Sequence, residues 1–154
     1  MTKSQAKHAI TILIAEDDPD DRMLAREAAR EGHLEGELQF VEDGERLLEH
    51  LRSLSALGPG ATGAPGLILL DLNMPRMDGR EALRAIKSDP ALRRIPVVVL
   101  TTSSAEEDIV STYDLGVNSF IIKPASFASL VEVMRSIWQY WLETVALPTG
   151  NRGD

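Results

Sequence analysis

Five short apolar runs, each about the length of one buried strand, alternate along the chain with stretches that carry apolar residues at helical spacing. The runs cover residues 10–15, 38–41, 67–72, 97–100 and 119–122. A continuous apolar run suits a strand that is buried on both faces, and such alternation is typical of a parallel sheet covered by helices on both sides. The sequence therefore predicts an α/β domain built from five strand and helix units.

Local signals place the helices between these runs. Asp18 and Pro19 form a typical helix start, while Gly32 and Gly116 are typical of helix ends. The fourth helix is predicted over residues 105–115 and the last over residues 127–145, and the segment SALGPGATGAPG is predicted to be a loop. One domain is expected over residues 10–146, between flexible ends at 1–9 and 147–154.

Composition excludes several classes of function. A net charge of -8 without a run of Lys or Arg argues against nucleic-acid binding. The chain has no cysteine, which excludes a disulfide framework and thiolate chemistry. No apolar stretch reaches the length of a membrane span or a secretion signal, so we expect a cytoplasmic protein.

Acidic residues follow two of the predicted strands. Glu16 and Asp17 come directly after the first strand and Asp71 ends the third, and ligands of an open parallel sheet bind beyond the carboxyl ends of its strands. Two close carboxylates repel each other by roughly 4 kcal/mol at an effective dielectric constant of about 20. We therefore expect a Mg²⁺ or Mn²⁺ ion among them, together with phosphate oxygens. The alternative is that these acids only cap a helix or form a turn.

Four segments of the chain carry a more specific signal. They are ILIAEDDPDD, LILLDLNMPRMDG, VVVLTTS and FIIKP, each at the end of a predicted strand. In this order and spacing they resemble the receiver domain of two-component response regulators over nearly the whole chain. The resemblance implies a flavodoxin-like, doubly wound fold, in which a five-stranded parallel sheet of order 2-1-3-4-5 carries helices on both faces.

The same resemblance implies a function. It makes Asp71 the nucleophile that accepts a phosphoryl group from a sensor histidine kinase, so the protein would be a phosphoacceptor and not an enzyme acting on a free substrate. By position, Asp17, Asp71 and the backbone carbonyl of Asn73 would bind Mg²⁺ or Mn²⁺, and Glu16 would act through water. The protein would thereby assist its own phosphorylation and dephosphorylation.

Three further positions match the switch residues of the family. Lys123 would contact a phosphoryl oxygen, and the bond between Lys123 and Pro124 is typically cis in receivers. Thr101 would donate a hydrogen bond to the phosphoryl group, and Phe120 would rotate inward in response. Phe120 stands where some receivers carry Tyr, and Thr102 stands where many carry Ala or Gly, so the switch is expected to be softer than in Tyr-bearing relatives and the lifetime of the phosphoryl group to differ.

The last helix has a wider apolar arc than one core contact requires. Leu130, Met134 and Ile137 suit the core, whereas Trp138 and Trp141, with Leu142, suit an interface. We hypothesise a homodimer through this helix and its neighbours. The same helix, with its WQYW segment, resembles the single-domain regulators that serve phytochrome-type sensor kinases, and the signal would pass to a downstream protein or a phosphotransfer partner.

Three other functions remain open at this point. A phosphohydrolase could use Asp71 as a transient nucleophile, but Asn73 stands where such an enzyme needs an acid. A receiver-like module could have lost phosphorylation, although Asp17, Asp71, Thr101 and Lys123 are all present. A flavin-binding protein could share the fold, but the first loop is acidic where a flavin phosphate would bind.

Overall fold

The computed structural model describes residues 10–34, 36–58 and 64–144. The strands are β1 (Thr11–Ala15), β2 (Glu37–Val41), β3 (Leu67–Leu70), β4 (Val97–Thr101) and β5 (Ser119–Ile122). The α-helices are α1 (Pro19–Glu31), α2 (Gly44–Ser55), α3 (Gly79–Ser88), α4 (Glu106–Asp114) and α5 (Phe127–Ile137). A π-helical segment, Trp138–Thr144, follows α5. The flexible ends expected at 1–9 and 147–154 lie outside the described residues.

The five strands form one parallel sheet in the order β2-β1-β3-β4-β5, which confirms the predicted topology. The chain moves outward from β1 to β2, then crosses back to β3 on the other side of β1 and continues towards β5. A crevice for ligands forms where the direction of winding changes, beyond the carboxyl ends of β1 and β3.

Strand residues alternate between two apolar clusters, one on each face of the sheet. On one face, Leu13 and Ile68 pack with the buried leucines of α2 and with Leu83 of α3. On the other, Ile12 and Leu69 pack with the alanines of α1 and with residues of α5. Burial on both faces explains why the central strands β3 and β4 appear in the sequence as apolar runs, whereas the edge strands β2 and β5 are only partly buried.

The helices begin with different degrees of side-chain support. Asp18 caps α1 as predicted, since its side chain accepts a hydrogen bond from the Asp20 N–H. At the start of α3, Asp78 and Glu81 form a reciprocal capping box. Ala105 precedes α4 and provides no side-chain hydrogen bond. The first turn of α4 therefore depends on other contacts.

The last helix differs from the prediction over residues 127–145. The α-helix ends at Ile137 and the chain continues as a π-helix to Thr144, while residue 145 lies outside the described part. Trp138, which we expected at an interface, is buried, with its ring close to Gly36. That expectation was wrong because the segment before β2 covers the indole. The exposed aromatic residue of this segment is Tyr140, whose ring stacks edge-on against Trp141.

Other boundaries shift by one or two residues. Strand β3 ends at Leu70 instead of residue 72, and the chain bends at Leu72. Within the described residues, no helix combines the length and the apolar character that a membrane crossing requires.

Candidate functional site

The main-chain pairing of the sheet brings the acids together. The N–H of Asp71 donates to the carbonyl of Ala15 at 3.2 Å, and the N–H of Glu16 donates to the carbonyl of Val41 at 3.0 Å. These bonds continue the sheet one residue past β1 and β3, so the side chains of Glu16 and Asp71 leave it at the same edge. Glu16 and Asp71 are both buried, at 5% and 7% exposure.

Carboxylate oxygens of Glu16, Asp17 and Asp71 lie within 4.8 Å of one another, as the positions of the acids in the sequence predict. Anionic oxygens at this spacing are the ligands that Mg²⁺ and Mn²⁺ prefer in proteins, and a divalent cation would remove most of their mutual repulsion. The residues therefore fit such a cation.

Lys123 supplies the fixed positive charge of the site. Its Nζ lies 2.6 Å from Glu16 Oε1, 3.0 Å from Asp21 Oδ2 and 3.5 Å from Asp71 Oδ2. Lys123 follows directly after β5, and its backbone N–H donates to the carbonyl of Thr101 at 2.7 Å, which ties the two strand ends together. No peptide bond in the described part of the chain is cis, so the Lys123–Pro124 bond is trans, contrary to what the resemblance implies.

Burial and charge act in opposite directions on this cluster. Burial lowers the pKa of Lys123, but the hydrogen bond to Glu16 and the charges of Asp71 and Glu16 outweigh burial and raise that pKa above its ordinary value. Burial raises the pKa of Glu16, and the Lys123 ammonium only partly offsets this effect. Because three carboxylates surround one ammonium, Lys123 remains charged at neutral pH.

Two donors point at Asp71, one from the end of β4 and one from the loop after Asp71. The hydroxyl of Thr101, at the end of β4 and fully buried, donates to Asp71 Oδ1 at 2.8 Å. The N–H of Asn73 donates to the same oxygen at 3.2 Å. These contacts fix the orientation of the Asp71 carboxylate, while the role of the Asn73 carbonyl as a metal ligand stays a prediction.

Close packing shapes the loop that follows Asp71. A Cβ atom on Gly79 would lie 2.3 Å from the carbonyl oxygen of Asp71, so only glycine fits there. Arg76 has a φ of 65°, and its Nε donates to the buried Asp43 carboxylate at 3.0 Å. These contacts give the turn a structural role and no part in the chemistry.

Phe120 lies apart from the acids. It pairs with Val99 in the register of β5 on β4, is half-buried, and packs against the apolar cluster beneath α2 and α3. Its backbone N–H donates to the hydroxyl of Tyr113 on α4 at 3.2 Å. A tyrosine hydroxyl therefore does occur beside this strand, but it comes from α4 and not from position 120.

Sequence reasoning missed Asp21 and a second network of charged residues. Asp21 lies in the first turn of α1, where its carboxylate faces Lys123. The second network joins Arg80, Ser103 and Asp108 between α3 and α4. Asp21 ends the acidic segment ILIAEDDPDD that follows the first predicted strand, which was the available signal for the first. Nothing in the sequence pairs Arg80 with Asp108.

Comparison with known proteins agrees with this geometry. The family model described as the response regulator receiver domain matches residues 12–135. This chain belongs to the response regulator receiver family. Receivers are phosphoacceptor signalling domains that work with histidine kinases and bind Mg²⁺ or Mn²⁺.

Similar receivers include the response regulator Rcp1 of Synechocystis sp., 41% identical over 137 residues that cover 89% of this chain and 92% of that protein. Among solved structures, the phosphorylated cyanobacterial phytochrome response regulator RcpA is 43% identical, with a TM-score of 0.82 over 92% of this chain and all of that one. The Mn²⁺-bound form of Rcp1 is 39% identical, with a TM-score of 0.76 over 91% of this chain and 99% of that one.

Proposed function

We propose that this receiver accepts a phosphoryl group on Asp71 from a sensor histidine kinase, with a divalent cation bound, and signals through a change of its surface. The observation that carries the proposal is the set of groups around Asp71. Its carboxylate belongs to an acid cluster suited to a cation, and it faces the Lys123 ammonium and the Thr101 hydroxyl.

The chemistry is a displacement at phosphorus. A carboxylate oxygen of Asp71 attacks the phosphorus atom of a phosphohistidine, and the phosphorus–nitrogen bond breaks as the new phosphorus–oxygen bond forms. The imidazole leaves with the electron pair of that bond and takes a proton from solvent. Hydrolysis of the resulting acyl phosphate by water returns the Asp71 carboxylate and inorganic phosphate.

The remaining residues stabilise negative charge on the transferred group. Asp17, Asp71 and the Asn73 carbonyl would hold Mg²⁺ or Mn²⁺, with Glu16 acting through water, and the bound ion would neutralise part of the phosphoryl charge. Lys123, which lies 3.5 Å from Asp71, provides a second positive charge from the end of β5. Lys123 and Thr101 are thus the catalytic partners of Asp71.

Thr101 also begins the surface change. Its hydroxyl contacts Asp71 before phosphorylation and can transfer its hydrogen bond to a phosphoryl oxygen, which lies further out, drawing the end of β4 with it. Phe120, opposite Val99 on the adjacent strand, would then adjust its packing. The partners that read this change are a downstream protein or a phosphotransfer protein.

The rival functions lose support at specific residues. Asn73 cannot carry the proton that a phosphohydrolase needs for turnover on free substrates. A module that no longer takes phosphate would not need Thr101 and Lys123 directed at Asp71. The acids beyond β1 would repel a flavin phosphate.

Transfer from a phosphorylated histidine kinase tests the proposal directly. We expect label to move from the kinase to this receiver when Mg²⁺ is present, and not to Asp71→Asn. Transfer at the same rate to Asp71→Asn would contradict the assignment of the acceptor.

We further propose that the kinase is of the phytochrome type. The support is similarity to RcpA, described as a phytochrome response regulator, along nearly the whole chain. Because such kinases take their phosphoryl group from ATP, the exchange would occur in the cytoplasm. Phosphotransfer profiling should show faster transfer from a phytochrome kinase than from unrelated histidine kinases, and equal rates would contradict this assignment.

A homodimer through α5 and the segment after it is the last part of the proposal. Tyr140 is 54% exposed there, and Phe127 at the start of α5 is 41% exposed. Light scattering should give a mass that rises with concentration, and Tyr140→Ser should weaken the association. A monomer mass at all concentrations, with and without phosphorylation, would contradict the dimer.

A further inference from the structure

An ion pair joins the first turns of α3 and α4. Arg80 Nε donates to Asp108 Oδ1 at 2.8 Å, and Arg80 Nη2 donates to Asp108 Oδ2 at 2.7 Å. Two parallel bonds of this kind hold the relative orientation of the two groups as well as their distance. Neither side chain is freely solvated, since Arg80 is 32% exposed and Asp108 is 14% exposed.

The pair is connected to the phosphoacceptor along the loop between β4 and α4. The hydroxyl of Ser103 donates to Asp108 Oδ2 at 2.6 Å, and the Ser103 N–H donates to the Thr101 hydroxyl oxygen at 3.4 Å. Thr101 in turn donates to Asp71 Oδ1 at 2.8 Å. On the other side, Arg80 Nη1 lies 3.4 Å from the carbonyl of Leu72, the residue after Asp71.

Helix α4 has few other anchors. Ala105 gives it no side-chain cap. Of its nine residues, Glu106–Asp114, Thr112 is the one that is buried. The loop before it is also open, since Thr102 and Ser104 are exposed. The hydrogen bonds from Arg80 and Ser103 lower the pKa of Asp108 to about 2, so the carboxylate is charged at neutral pH. The pair is therefore the main polar restraint on the start of α4.

We propose that Arg80 and Asp108 are positioning residues of the phosphorylation site, which fix the course of the Thr102–Ala105 loop and so slow the hydrolysis of the acyl phosphate on Asp71. Through Ser103, the pair keeps Thr101 oriented towards the acceptor. The inference rests on the proposed function, because it concerns the lifetime of the phosphoryl group on Asp71. A pair with a purely structural role would change thermal stability and leave that lifetime unchanged.

The test compares decay of the acyl phosphate in matched variants. The wild type, Asp108→Asn, Arg80→Met and the double variant are phosphorylated with acetyl phosphate and Mg²⁺, the donor is removed, and intact mass follows the loss of the phosphoryl group. Glu132→Gln is the control, because it removes the exposed ion pair with Arg135 on α5.

We expect each single variant to shorten the half-life by about threefold to tenfold. The double variant should decay no faster than the faster single variant, because both remove the same interaction. Arg80→Lys, which can keep one charged hydrogen bond to Asp108, should recover part of the lifetime. The control should decay like the wild type.

A half-life that is unchanged or longer in the single variants would overturn the inference while leaving phosphorylation of Asp71 intact. Additive effects of the two substitutions would overturn it as well. If Asp108→Asn does not fold, Ser103→Ala, which removes only the hydroxyl bond to Asp108, carries the test with the same expectation. If the wild type gains no phosphoryl group from any donor, the proposed function and this inference fail together.

Discussion

The acidic edge of the sheet and the edge formed by α4 and β5 are held in different ways. Glu16 and Asp71 extend from β1 and β3, whose residues are buried on both faces and pair with strands on each side. In contrast, β5 is an edge strand, and Val110 and Tyr113 of α4 are 54% and 48% exposed. Under the proposed function, phosphoryl transfer would use the firmly held region, because it needs fixed distances, and the response surface would use the loosely held one.

Thr101 belongs to both regions. It is the last residue of β4, is fully buried, and contacts Asp71, yet the exposed loop to α4 starts directly after it. Under the proposed function, a change at Asp71 would reach the loosely held region through Thr101. The predictions below test this division by perturbing one region and measuring the other.

The largest effect is expected at Lys123. Replacement by Met leaves the acid cluster without its fixed cation, and the rate of phosphorylation by acetyl phosphate should fall by about a hundredfold or more. Intact mass followed over time measures the rate. The control is Lys123→Arg, which keeps the positive charge on a side chain of different shape. A wild-type rate in Lys123→Met would contradict the role of the ammonium.

Truncating one buried and one exposed side chain compares the packing of the core beneath α3 with the packing of α4. Leu83 of α3 is fully buried, so Leu83→Ala should lower the free energy of unfolding by about 2 to 5 kcal/mol. Val110→Ala on α4 should change it by less than about 0.5 kcal/mol. Urea denaturation of both variants measures the difference. Similar losses at the two positions would show that α4 is packed as firmly as α3.

The ion pair between Arg80 of α3 and Asp108 of α4 should contribute a pH-dependent amount to the free energy of unfolding. The folded state lowers the pKa of Asp108 to about 2, so the contribution is present above the unfolded pKa of about 4 and is lost as pH falls towards 2. Asp108→Asn should reduce the free energy of unfolding by about 1 kcal/mol at neutral pH, after allowance for solvent screening. Denaturation at several pH values should show the two proteins converging in acid, and a difference independent of pH would contradict the ion pair.

The smallest effect is expected at Asp21. Its carboxylate is 39% exposed and lies 3.0 Å from Lys123 Nζ. We expect it to compete with the phosphoryl group for this ammonium. Asp21→Asn should raise the phosphorylation rate by less than about fivefold, because a partly exposed ion pair is weak. Asp20→Asn removes the same charge one residue earlier and serves as the control. A slower rate in Asp21→Asn would show that Asp21 assists Lys123 instead of competing for it.

How much of the structure could be predicted from the sequence also differs between the two regions. Buried strands produce unbroken apolar runs, and the residues after them must lie at one edge, so the fold and the convergence of Glu16, Asp17 and Asp71 could be predicted. Trp138 could not be placed, because helical periodicity does not show that the segment before β2 covers its ring. The pairing of Arg80 with Asp108 also escaped prediction, since it depends on how two helices approach each other in space.

The central claim is that Asp71 is the phosphoacceptor of a cation-dependent site, and intact mass after incubation with acetyl phosphate tests it most directly. The wild type should gain one phosphoryl group in the presence of Mg²⁺ and little without it, and Asp71→Asn should gain none. Retention of the gain in Asp71→Asn would place the acceptor elsewhere. No gain by the wild type, from acetyl phosphate or from a phosphorylated histidine kinase, would contradict the account.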